Sequence, residues 1–206
     1  MKLRRVLVLA ACMVFLTAGL AQAATVNIGG SWSNLGGGSF TGATLNGNSV
    51  PWMYCTSYGT TISGNTNYNA TLNTIGEFNN TPITGAGQVA WLLTNYGSYL
   101  SNPSNINTNN TIDAHALQAA IWTITEGFNP YTSSDPEWTL YQTLLTASSG
   151  KTAPVSNFYW ITPYDSAGKA LQPLVTPTPI PAAAYLFGSG LAGLVGIARF
   201  RRKRSK

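Results

Sequence analysis

Charged side chains are scarce in this chain: Asp, Glu, Lys and Arg make up 8% of 206 residues, about a third of the share usual in a soluble domain. One histidine and two cysteines leave little material for metal or nucleophilic chemistry. No group of His, Cys and acidic residues has ligand spacing, and Asp113, Asp135 and Asp165 are dispersed. Neither a zinc site nor a calcium loop is expected, and no metal or cofactor is implied. Gly36 to Gly38 is not followed by a helix with a P-loop lysine, so a phosphate cradle is not indicated either. The basic residues are also missing from the middle. Between Ala24 and Val175 only Lys151 and Lys169 stand against Glu77, Asp113, Glu126, Asp135, Glu137 and Asp165, two against six, a net of −4. The pI of 9.3 therefore belongs to the two ends, and nucleic acid is not an expected partner.

Those ends read as targeting segments. Lys2, Arg4 and Arg5 precede the apolar run Val6 to Leu20, and Ala21-Gln22-Ala23 provides the small residues a signal peptidase accepts. Residues 1–23 are expected to be a cleaved leader, which takes Cys12 with it and leaves Cys55 as the one cysteine of the exported chain. At the other end, Ala182 to Ala198 is free of charge, a run of about 17 residues at the short limit for a membrane-spanning helix. Gly188, Ser189, Gly190, Gly193 and Gly196 would let a second helix approach it closely. Arg199, Arg201, Arg202, Lys203 and Arg204 follow and would hold that end in the cytoplasm.

Pro179-Ile180-Pro181-Ala182, the glycine-punctuated apolar run and the terminal basic cluster stand in a fixed order. In that order they resemble the PEP-CTERM sorting signal of exported bacterial proteins, most closely its VPLPA-type variant. Ile180 stands where Leu or Glu is more usual. The resemblance implies recognition by an exosortase, a membrane-embedded transpeptidase, and removal of the tail near the proline motif. The protein would be membrane-anchored through residues 176–206 before processing, and at the cell surface or in extracellular matrix, as in a biofilm, afterwards.

The body, residues 24–175, is rich in Asn, Thr, Ser and Gly and long enough for one core. Val26 and Ile28 alternate with polar neighbours, Leu45-Asn46-Gly47-Asn48 carries a hairpin signal, and Val50 to Cys55 reads as a strand with Pro51 suggesting an edge. Asn65 to Ala70 reads as a polar connection and Thr71 to Ile75 as a short strand. Three helices are expected next. Gly87 to Asn95 carries Val89, Leu92, Leu93 and Tyr96 on one face and ends at Gly97 as a left-handed cap. After a polar loop from Ser101 to Thr111, His115 to Thr125 would be capped by Asp113, with Ala114, Leu117, Ile121 and Ile124 on one face. The third starts at Ser134-Asp135-Pro136-Glu137, a capping box, and buries Leu140, Tyr141, Leu144 and Leu145. Asn157 to Thr162 and Lys169 to Val175 close the domain as strands around an Asp165 to Gly168 turn, before a stiff Thr176-Pro177-Thr178-Pro179 spacer. The expected class is α+β, a single body in which strands flank a three-helix middle. Trp52, Tyr54, Trp91, Trp122, Trp138, Tyr159 and Trp160 are read as core in preference to a sugar-stacking surface.

An unpaired cysteine in an exported chain is buried and inert, joined to another molecule, or reactive. A hydrolase reading would pair Cys55 with His115 as base and Asp113 as orienter, but Asp113 and His115 sit too close along one helix to face each other. A second reading pairs Cys55 with Gln118. Trp52-Met53-Tyr54-Cys55 and Leu117-Gln118-Ala119-Ala120-Ile121-Trp122 resemble the two signatures of bacterial thioester domains: an aromatic residue ahead of the cysteine, and a glutamine ahead of Ala-Ile-Trp. Leu117 replaces a common Thr, Thr56 follows the cysteine in place of an apolar residue, and the two motifs are closer together than in long adhesins. The resemblance implies a non-enzymatic covalent adhesin. In it Cys55 gives the sulfur, Gln118 the acyl carbon, Tyr54 and Trp122 the apolar shield, and His115 assistance in proton transfer. Its target would be a surface amine or hydroxyl, or an exopolysaccharide. The alternative is a non-covalent matrix protein with a buried free Cys55.

Overall fold

The computed structural model describes residues 21–29, 31–32, 39–100 and 108–178. The expected tail motif, apolar run and basic cluster lie outside them, as do most of the leader and Gly36 to Gly38. Among the described residues no helix is long and apolar enough to cross a membrane.

The class is α+β. Nine strands form one curled antiparallel sheet: β1 (Gln22–Asn27), β2 (Ser31–Trp32), β3 (Ser39–Thr41), β4 (Thr44–Leu45), β5 (Asn48–Ser49), β6 (Met53–Cys55), β7 (Asn67–Asn73), β10 (Phe158–Tyr164) and β11 (Leu174–Pro177). Their order across the sheet is β2-β3-β6-β11-β10-β7-β1-β4-β5. A separate hairpin pairs β8 (Glu77–Phe78) with β9 (Thr81–Pro82). Between β9 and β10 run α1 (Ala86–Tyr96), a 3-10 turn (Gly97–Leu100), α2 (Thr108–Glu126) and α3 (Trp138–Ser148). Strands thus flank three helices, as expected.

The period-2 alternation of the strands divides the apolar residues into two cores. Trp52, Tyr54, Trp160 and Val175 meet the helices through Val89, Leu92, Leu117, Ile121, Tyr141 and Leu144. On the other side Val26, Ile28, Met53, Cys55, Leu72, Ile161 and Leu174 pack together with Trp122. Trp52, Tyr54, Trp122 and Trp160 are buried, and Trp91, Trp138 and Tyr159 half-buried, in line with the core assignment.

Several local expectations change. Asn67 to Ala70 is not a connection but the first half of β7, a seven-residue strand inside the sheet between β10 and β1. Its buried Ala70 and Leu72 alternate with half-exposed Asn and Thr, a pattern diluted by short side chains. The Asn46-Gly47 turn does form: both residues have positive φ, 51° and 77°, between β4 and β5, as a tight hairpin requires. Pro51 is exposed just outside β6, which is an inner strand between β3 and β11.

The second helix starts at Thr108, so Asp113 lies inside it instead of capping it. The third starts at Trp138, and its N-cap position, Glu137, makes no side-chain cap. Ser134 bonds Thr132 through their hydroxyls, Asp135 accepts from the Thr132 amide, and the expected capping box is absent. The return strand begins at Leu174, with one bridge from Tyr164 to Ala170 before it.

Both expected domain limits fall within strands. Gln22 and Ala23, ahead of the expected cleavage point, pair with Leu72 and Thr71, while the first fully buried residue of β1 is Val26. Thr176 and Pro177, expected to open the spacer, belong to β11. The Thr176 hydroxyl donates to the Trp52 carbonyl at 2.7 Å, and the Thr178 amide donates to Asn157 O at 3.0 Å. The folded body therefore runs through Thr178.

Gly97 is not a left-handed cap: its φ and ψ are −60° and −22°. A glycine is needed there because a Cβ would lie 2.5 Å from Cζ2 of Trp52. Gly97→Ala should lower stability by about 1–3 kcal/mol through overpacking, outweighing the gain of about 0.4–1 kcal/mol from a stiffer unfolded chain. A denaturant midpoint equal to or above that of the parent would refute this account of Trp52.

Candidate functional site

β6 brings Cys55 to a place where the sheet ladder is interrupted. Opposite β11, Cys55 pairs with Leu174, and the hydrogen bond from Thr56 N to Pro173 O, 2.9 Å, sits one residue along. In an antiparallel pair, bonded and non-bonded positions alternate, so the amide and carbonyl of Cys55 point away from β11. β3 lies on that side, but its described pairing is with Met53 and Tyr54. The two backbone groups of Cys55 meet a side chain instead. The Cys55 amide donates to Gln118 Oε1 at 3.0 Å, and Gln118 Nε2 donates to the Cys55 carbonyl at 2.7 Å.

α2 can deliver that carboxamide because it is buried almost all round. From Ala114 to Trp122 every residue is buried, and Ala114, one turn before Gln118 on the same side, is small. Gln118 is 1% exposed and Cys55 0%. The hydrogen bonds orient the amide unambiguously, since the donor of Cys55 needs an oxygen and its acceptor needs an NH2 group. No family model matches the chain, nor does any curated protein or solved structure.

Cys55 is a free thiol that burial pushes well above its ordinary pKa of 9.0. It is a protonated, water-excluded sulfur on a residue whose backbone holds the Gln118 carboxamide. Of the two residues expected to shield it, Trp122 shares its core, and Phe128 packs against that core from outside. Tyr58 stacks on Phe128 with centroids 3.8 Å apart and meets Trp122 edge-on at 5.1 Å. Tyr54 lies on the other face of β6, against Trp52, with its hydroxyl donating to Gly97 O at 3.5 Å. Tyr54 is thus on the face of β6 opposite Cys55, and the stack of Tyr58 and Phe128 on Trp122 is a feature that the sequence reading lacks. The only hint was their aromatic character near the two motifs.

His115 is buried at 8% exposure, not an exposed helix-start residue. Its Nδ1 lies 3.3 Å from Glu137 Oε1, so this nitrogen carries the proton and donates to the carboxylate. Nε2 is buried without a partner. The Glu137 expected to cap α3 is thus the partner of His115. Among the described residues no three of His, Cys, Asp and Glu are grouped to hold a metal ion.

Gln118→Ala would strand a buried N–H and C=O, at about 1–3 kcal/mol for each unsatisfied group. Cys55→Ala keeps both backbone bonds and should cost clearly less. Urea denaturation of the two variants tests this order, and equal losses would sink the ladder-filling role.

Proposed function

We propose that this chain is an exported surface or matrix protein whose body, built in the manner of a thioester domain, forms an internal thioester between Cys55 and Gln118. One observation carries the reading: the Gln118 carboxamide is clamped by both backbone groups of Cys55 in a site closed to water. The thiol sulfur adds to Cδ of Gln118, the S–C bond forms, the C–Nε2 bond breaks, and the thiol proton leaves with the amino group as ammonia. The Cys55 amide, already on Oε1, faces the oxygen on which negative charge develops. No thiolate is required overall, in keeping with the raised thiol pKa. An amine or hydroxyl then attacks the same carbon, the C–S bond breaks, and the thiol is restored. Each molecule acts once, which is adhesion and not turnover.

The same hydrogen bonds favour a second reading, a passive matrix protein, because they end on the Cys55 backbone and complete the sheet without any bond to sulfur. Intact mass separates the two. The thioester form is lighter than the processed sequence by one ammonia; methylamine turns that deficit into an excess of one CH2 at Gln118, and the Cys55→Ala chain has the mass of its own sequence. A mass equal to the sequence would leave the passive reading. In that case the native thiol keeps its proton above pH 9.0 while the unfolded chain loses it, so the unfolded state binds fewer protons and stability falls as pH rises. That fall should begin before Tyr131, whose ordinary pKa is 10.0 and which burial also raises, contributes, and Cys55→Ala should lack it. The hydrolase reading has the least support: His115 Nε2 has no hydrogen-bond partner, so it does not engage the Cys55 thiol, and burial drives that thiol away from ionisation.

Export rests on the leader, and sorting on Pro179 to Ala182 with the apolar run and basic cluster behind them. Signal peptidase and an exosortase are the processing partners of this proposal. A reporter that works only outside the cytoplasm, fused after Thr178, should be active. Activity of a cytoplasm-dependent reporter at the same point would overturn the export reading.

A further inference from the structure

The leader ends in two overlapping small-residue sites, Ala21-Gln22-Ala23 and, two residues earlier, Gly19-Leu20-Ala21. The register of β1 distinguishes them. β1 runs antiparallel to β7 from Gln22 opposite Leu72 to Asn27 opposite Asn67. The Thr25 carbonyl accepts from the Asn46 amide at 2.8 Å, and the Thr25 amide donates to Asn46 Oδ1 at 2.9 Å, so the backbone of Thr25 faces away from β7. Bonded and non-bonded positions alternate along an antiparallel pair, which turns Gln22, Ala24 and Val26 towards β7 and makes Gln22 with Leu72 the last bonded rung. A cut after Ala23 would delete that rung and leave the amide and carbonyl of Leu72, a residue 2% exposed, without their partners. It would also put a new α-ammonium on the rung opposite Ala70, which is 4% exposed, where a charge is poorly hydrated. A cut after Ala21 keeps the Gln22 carbonyl for the Leu72 amide and places the chain end on Gln22, an exposed residue.

We propose that signal peptidase cuts after Ala21, so that the exported chain begins at Gln22, and that this first residue then closes to a pyroglutamyl lactam. The proposal rests on the export reading above. With Gln22 at the chain end, its free α-amine reaches its own side-chain Cδ in a five-membered ring. The N–Cδ bond forms, the Cδ–Nε2 bond breaks, and one amine proton leaves with the amino group as ammonia, with no oxidant, reductant or second substrate. The Gln22 carbonyl, which the Leu72 amide needs, takes no part. A chain that began at Ala24 could not close in this way, because its first side chain is a methyl group. The product is a neutral, blocked end tied to the sheet, on which an aminopeptidase has no free amine to recognise.

The test is to express the full chain in a bacterial host, recover it from outside the cytoplasm and weigh its N-terminal peptide. That peptide should start at Gln22 and be one ammonia lighter than its residues. Ala23→Gln removes the small residue of the later site alone and should leave the start at Gln22. Gly19→Gln removes the small residue of the earlier site alone and should move the start to Ala24, and the shorter product should unfold at a lower urea concentration than the parent. A parent chain that starts at Ala24, an Ala23→Gln chain that is no longer processed, equal urea midpoints for the two products, or a Gln22 peptide of full mass would each overturn the proposal. An exported chain that starts at Ala24 sinks this proposal alone, whereas a chain that keeps its leader inside the cell sinks the export reading with it. The lactam lies in the N-terminal peptide, and neither methylamine nor Cys55→Ala alters it. It therefore lowers every intact mass by the same ammonia and leaves the comparison made for the thioester unchanged.

Discussion

The carboxamide of Gln118 fills a hole in a β-ladder. Every buried N–H and C=O must be partnered, and the two of Cys55 face away from β11 at a point where the described pairing with β3 has ended. A helix cannot ordinarily complete a sheet, because its own backbone groups are engaged within it. α2 does so by lending one side chain that has an amide's donor and acceptor at the right separation. That requirement fixes the depth and rotation of α2 against β6. It accords with the burial of the helix on nearly all sides from Ala114 to Trp122.

Once α2 is seated in this way, the two cores are joined through it. Leu117 and Ile121 complete the layer beneath the helices, while Trp122 reaches into the core that holds Cys55. The tie from Thr176 to the Trp52 carbonyl and the close approach of Gly97 to the Trp52 ring hold β6 from its other end. A sulfur at this position is dry and protonated. Those properties suit either a passive core residue or one end of the proposed acyl bond, and the backbone clamp is compatible with both.

The helices were readable where one face alone is apolar. Val89, Leu92 and Leu93 mark α1, and Tyr141 and Leu144 mark α3, at helical spacing. Helix starts were less so: Ser134 to Glu137 has the residues of a capping box, yet Asp135 turns to Thr132, and Glu137 to His115, because tertiary partners outcompete local ones. β7 was half missed, since Asn67, Asn69 and Thr71 occupy its outward positions and resemble a loop. Gly97 reads as a cap from the sequence, whereas its reason is the ring of Trp52, just ahead of β6 and more than forty residues earlier.

Residue order alone determined the α+β arrangement and the Asn46-Gly47 hairpin, because each depends on short-range periodicity or on residue type, whereas the pairing of Cys55 with Gln118 is implied by the resemblance of their flanking motifs to thioester domains. Only the tertiary structure decided that Gln118 bonds the Cys55 backbone, that Tyr54 faces away while Trp122 shares the core of Cys55, and that the body continues through Thr178. Those outcomes depend on which groups of distant strands are left without partners, a quantity set by sheet register and helix placement and carried by no local stretch of the chain.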